Sequence, residues 1–120
     1  MNCPFCTPEK ILFSNQHAYA RYDGFPVSEG HILIIPFRHV ENYFDLTQEE
    51  QQDILSLLNQ AKAHLDRTFE PDGYNVGINV GQPAGQTIMH VHCHLIPRYI
   101  GDIPDPRGGI RAVIPDKKSY

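Results

Sequence analysis

No stretch of this sequence is apolar for long enough to cross a membrane. No basic run stands out against a formal charge of −4. The first absence argues against a membrane span, and the second leaves affinity for bulk nucleic acid unsupported. No charged-then-apolar leader opens the chain, so no cleavable signal is expected. Cysteine is scarce and odd in number: Cys3, Cys6 and Cys93. That count favours free or metal-bound thiols in a reducing, cytoplasmic setting over a disulfide framework. Internal repeats and low-complexity tracts are missing. So is a Gly-Lys-Ser/Thr phosphate loop, which argues against a magnesium-dependent P-loop site.

What is present fits one ordinary domain: 120 residues, 41% hydrophobic and 20% charged, enough for a core. Short apolar runs at Ile11–Phe13, Ala18–Tyr22, His31–Ile35 and Tyr74–Val80 read as strands. The run from His31 to Ile35 is apolar at almost every position after the histidine, as in a strand buried on both faces. Thr47 and Glu50 have capping-box spacing. After them, Ile54, Leu55, Leu57, Leu58, Ala61, Leu65 and Phe69 form an apolar stripe of helical period. The helix should end near 68–70, before Pro71 and Gly73. His64 is expected on its exposed flank. Most connections are too short for parallel crossovers, so the expectation is an α+β fold: an antiparallel sheet of about five strands with one long helix. Residues 1–120 form a single domain on this reading, with 101–120 as a C-terminal tail.

Histidine is abundant, at seven residues, and three stand in one row, Ile88-Met89-His90-Val91-His92-Cys93-His94-Leu95-Ile96-Pro97-Arg98. On a strand, alternation would put His90, His92 and His94 on one face and turn Val91, Cys93 and Leu95 into the core. Such a row suits metal ligation or a histidine nucleophile with orienting neighbours. Cys3-Pro4-Phe5-Cys6 is open to three readings: a redox pair, two idle thiols, or half of a structural zinc site. Phe5, Ile11, Phe13 and Tyr19 are candidates for an adenine slot or for core packing.

The motif His90-Val91-His92-Cys93-His94-Leu95-Ile96 resembles the signature of the histidine triad (HIT) family. Gly30-His31-Ile32-Leu33-Ile34-Ile35-Pro36 resembles that family's upstream strand, and the resemblance runs from Cys3 to Arg98. The similarity is greatest to the diadenosine polyphosphate hydrolases and their relatives. It implies a nucleotide hydrolase acting at the α-phosphate of dinucleoside polyphosphates or adenylated compounds, through a nucleotidyl-histidine intermediate. A nucleotidyltransferase or phosphorylase, and a nucleotide-binding module without turnover, are the alternatives. By resemblance, His92 is the nucleophile and His94 a ligand of the phosphate oxygens. Gln86 and Thr87 would assist at the phosphate and leaving group. Asp23, His31, Asn79 and Gly85 would contact an adenine nucleotide, Asp23 at the ribose. Cys3, Cys6, His39 and His90 would bind a structural Zn²⁺, which removes His90 from the catalytic row. No catalytic metal is implied. Arg107, in the Gly-rich tail, is expected to reach phosphates, and a homodimer with joined sheets is expected.

Overall fold

β-Branched and aromatic residues gather in short runs punctuated by Gly and Pro, and these runs form the sheet. The structure, a computed structural model, describes residues 2–120. Among these residues there are five strands, β1 (Phe13–Ser14), β2 (Ala18–Tyr22), β3 (Ile32–Pro36), β4 (Gly73–Ile78) and β5 (Cys93–Arg98), with one long helix, α1 (Gln48–Thr68). The sheet order is β1-β2-β3-β5-β4, and every neighbouring pair is antiparallel. This is the α+β arrangement expected. β3 lies at the centre and is buried at all five positions, as its apolar run requires.

Thr47 caps α1: its hydroxyl accepts from Glu50 N–H at 3.1 Å, and Glu50 Oε1 accepts from Thr47 N–H at 2.9 Å. Ile54, Leu57, Ala61 and Leu65 form the buried stripe. Full burial of an aliphatic side chain contributes about 1.5–3 kcal/mol, so packing, more than propensity, holds the helix to the sheet. They meet Ala18, Ala20, Ile32, Ile34, Val91, Cys93 and Leu95. Leu55, expected in that stripe, faces solvent at 47% exposure, because it lies one residue past Ile54 and thus about 100° round the helix. His64 is half-buried, not surface-bound, and its Nε2 lies 2.8 Å from the Tyr22 hydroxyl.

The other face of the sheet carries a second cluster, Phe5, Tyr19, Leu33 and Ile35. Leu33 pairs with His94 across β3 and β5, and directly opposed residues share a face. The N-terminal segment therefore lies on the histidine side. β5 is shorter than the expected Ile88–Arg98 strand. It begins at Cys93, so His90 and His92 sit on its irregular lead-in. There, the Val91 N–H donates to the Val40 carbonyl at 2.8 Å. The inward alternation survives without the ladder: Val91 and Cys93 are buried at 1% and 2% exposure. β4 likewise stops at Ile78 and leaves Asn79 exposed. The tail contains two short 3₁₀ helices, Gly109–Val113 and Pro115–Lys117.

Candidate active site and metal cluster

Gly30 sets the entry to β3. Its φ is +92°, and a Cβ there would lie 2.9 Å from Phe69, so glycine is required by both conformation and space. The next residue, His31, is 1% exposed. Its Nδ1 accepts from Val27 N–H at 3.0 Å. In the neutral ring the hydrogen then resides on Nε2. That Nε2 lies 3.0 Å from His94 Nδ1 and 3.5 Å from Asp23 Oδ2. His31 thus donates to His94 Nδ1, which leaves His94 with an Nε2–H donor. Burial, reinforced by His92 and His31, pushes the His94 pKa down to about 4. Burial also lowers that of His31. Asp23, His31 and His94 bring ligand atoms within 4.8 Å of one another, but a ring hydrogen fills the centre of that group, which makes it a hydrogen-bond relay.

His92 is arranged differently. Its Nδ1–H donates to the His90 carbonyl at 2.8 Å, so Nε2 keeps a lone pair. The His92 and His94 rings stand 5.2 Å apart at 66°. One lone pair and one N–H donor are therefore side by side.

His90 turns away from this pair and is fully buried. Its Nε2–H donates to the Pro36 carbonyl at 2.8 Å. Nδ1 is left to face Cys3 Sγ at 3.3 Å, Cys6 Sγ at 3.6 Å and His39 Nδ1 at 3.2 Å. Cys6 Sγ is 3.1 Å from His39 Nδ1. All four donors lie within 4.8 Å of one another and could hold a metal ion. Two thiols and two imidazoles, one with its outer nitrogen held by a carbonyl, make a donor set suited to tetrahedral zinc.

The remaining expected residues divide. Asp23 lies beside His31, and its Oδ1 also accepts from Phe25 N–H at 2.8 Å. The Asn79 amide lies 3.9 Å from where a Gly85 Cβ would sit. Gly85 is left-handed at φ +99°, but its N–H donates to Gln82 O at 2.9 Å and the Gln86 N–H to Gly81 O at 3.2 Å. Those amides serve the loop itself. Gln86 is 3% exposed, and its side chain is likewise committed. Oε1 accepts from Gly81 N–H at 2.8 Å, while Nε2 donates to Glu41 O at 2.8 Å and Ile88 O at 3.2 Å. In this geometry Gln86 braces the loop before the histidines and has no amide hydrogen left for a phosphate. Thr87 lines a cleft of about 350 Å³ with Cys3, His39 and Met89. Arg107 pairs with Asp105 at 3.1 Å on the tail, and its contacts are with that carboxylate rather than with the histidines.

The family model of the HIT domain matches residues 6–101. The chain belongs to the HIT family. Among solved structures, this HIT protein is similar to a HIT family protein from Bacillus anthracis. That likeness has a TM-score of 0.77 and 36% identity, covering 82% of this chain and 74% of the other. A zinc-bound histidine triad family protein from Mycobacterium smegmatis gives a TM-score of 0.76 at 27% identity, over 87% of this chain and 84% of that one. The bis(5'-adenosyl)-triphosphatase of Saccharomyces cerevisiae is 36% identical over 104 residues, which are 82% of this chain and 50% of that protein. The matched residues of this chain span half the length of that yeast protein. Among the described residues, no helix is long and apolar enough to cross a membrane.

Two contacts of this HIT domain escape the sequence reading. The His31–His94 bond joins residues 63 apart, and only the sheet register brings them together. The Phe5 ring lies 5.1 Å from the His92 ring. Phe5 stands out in the sequence as an aromatic suited to an adenine slot or to core packing, but nothing near it in the chain points to His92.

Proposed function

We propose that this protein is a nucleotide hydrolase that cleaves at the α-phosphate of adenine dinucleoside polyphosphates or adenylated compounds. One observation carries the proposal: His92 Nδ1 is tied to the His90 carbonyl, so Nε2 is an oriented lone pair beside the His94 N–H. In the first step Nε2 attacks the α-phosphorus. The P–N bond forms as the P–O bond to the leaving phosphate breaks, and the electron pair departs on that oxygen. His94 Nε2–H donates to a non-bridging oxygen, where negative charge must be held. Water then attacks phosphorus, the P–N bond breaks, and one water proton passes to solvent. Asp23 and Asn79 are assigned to the nucleotide, and Thr87 to the phosphate side. The bis(5'-adenosyl)-triphosphatase relative supports this substrate class. The test is turnover of diadenosine triphosphate with mass analysis of a trapped His92 adduct. His92→Asn should lose about 10³-fold or more of kcat while still binding nucleotide. Undiminished turnover in that variant overturns the assignment.

We also propose zinc at Cys3, Cys6, His39 and His90, in keeping with the donor set and with the zinc-bound relative. There it would supply a cross-link with no open position for water. A homodimer is proposed through β4, an edge strand whose outer backbone groups suit pairing with a second copy. Sedimentation should give twice the 13.7 kDa chain mass.

A further inference from the structure

The turn Cys3–Cys6 does more than carry two metal ligands. Its Phe5 is 6% exposed, buried in the histidine-side cluster with Tyr19, Leu33 and Ile35. The Phe5 ring meets His92 at 5.1 Å and 60°, and His90 at 6.0 Å and 84°. The backbone of Phe5 is fixed as well. Its carbonyl accepts from the Tyr19 hydroxyl at 2.8 Å, and the Cys6 N–H donates to Cys3 O at 3.2 Å. Tyr19 is fully buried on the strand next to β3, so the turn is pinned to the sheet from below.

His92 needs that support because it lies outside the ladder, which begins at Cys93. Rotation about Cα–Cβ would swing Nδ1 off the His90 carbonyl and move Nε2 away from His94. The hydrogen bond alone leaves the ring face unsupported. The Phe5 ring packs against the imidazole at 5.1 Å and 60°, a separation at which aromatic rings attract beyond the burial of area alone. We infer that Phe5 is a positioning residue for His92. Its ring and the His90 carbonyl together hold the nucleophilic imidazole in one rotamer and one tautomer.

The inference rests on the hydrolase reading for its kinetic consequence, though not for its structural one. The experiment compares the metal-loaded wild type with Phe5→Ala and Phe5→Leu in three measurements. These are bound zinc, imidazole ¹⁵N spectra of His92, and kcat and KM for diadenosine triphosphate. Phe5→Ala should retain zinc and replace the single Nδ1–H tautomer by a mixture. It should lower kcat by about 10²-fold, the scale of a misplacement near 1 Å, with KM unchanged. Phe5→Leu restores apolar volume and should fall between the two, and it decides the matter if Phe5→Ala does not fold. An unchanged His92 spectrum in a folded variant overturns the inference. So does a raised KM with unchanged kcat, which would mark Phe5 as part of a base slot. If the wild type turns over no nucleotide, the hydrolase reading fails, and the His92 spectrum still decides the role of Phe5.

Discussion

At His94, burial and the adjacent imidazoles hold the ring neutral down to about pH 4. The unfolded chain takes up the same proton near pH 6.5. As pH falls through that window the unfolded state binds more protons, so stability drops from about pH 6.5 to about pH 4. Urea midpoints at pH 7 and pH 5 should differ more for the wild type than for His94→Asn. An equal difference would mean that other groups carry the slope. Cys93, one residue away, was legible as an inward residue from alternation alone. Burial raises its thiol pKa to about 11. It should resist alkylation in the native protein, with or without chelator, whereas Cys3 and Cys6 become reactive once metal is removed. Thiol mapping by mass spectrometry checks this, and early labelling of Cys93 would refute it. Gln86 was legible as a polar residue of the loop before the histidines, but its partners there, Gly81, Glu41 and Ile88, were not.

The helix start was the most legible element, since a capping box is local and its bonds join residues three apart. The long-range use of the same carboxylate was not. Glu50 also accepts from Arg38, Nε at 3.0 Å and Nη2 at 2.7 Å. With the Arg38 bonds as the main cause, its pKa falls to about 2. A depressed carboxylate contributes stability that is fully present above its unfolded value, about 4.5, and lost as pH falls toward 2. Glu50→Gln should cost about 1–3 kcal/mol at pH 7, and its difference from wild type should shrink at pH 3. Thermal melts at both values test this, and a constant difference would assign the loss to packing. Arg38 precedes His39, so the variant should also weaken metal retention. The β5 boundary was misread for the opposite reason. Alternation of side chains persists into 90–92, but alternation marks a face, and a ladder requires a partner strand.

In the whole molecule, the cysteine turn ties the N-terminus to residues 39 and 90. Removing metal should therefore lower Tm by about 5 °C or more. Cys3→Ser should melt at the lower temperature with or without chelator. A chelator-insensitive wild type would argue against the site. The class of fold followed from strand runs, one helix and short connections. The pairing of β3 with β5 did not, because nothing in either strand names its partner. That topology gives the molecule uneven durability. Cys93–Leu95 are paired on both sides, to β3 and β4, while residues 96–98 pair with β4 alone, so the amides of Cys93–Leu95 should exchange slowly. His90–His92 lack a ladder and are held by the Val91–Val40 bond, the His90–Pro36 bond and the cysteine turn. Such a segment can open locally at a fraction of the global unfolding free energy. On slow warming, catalytic power should fade while the sheet is still intact, and cooling should restore it, with the inactivation midpoint below the calorimetric one.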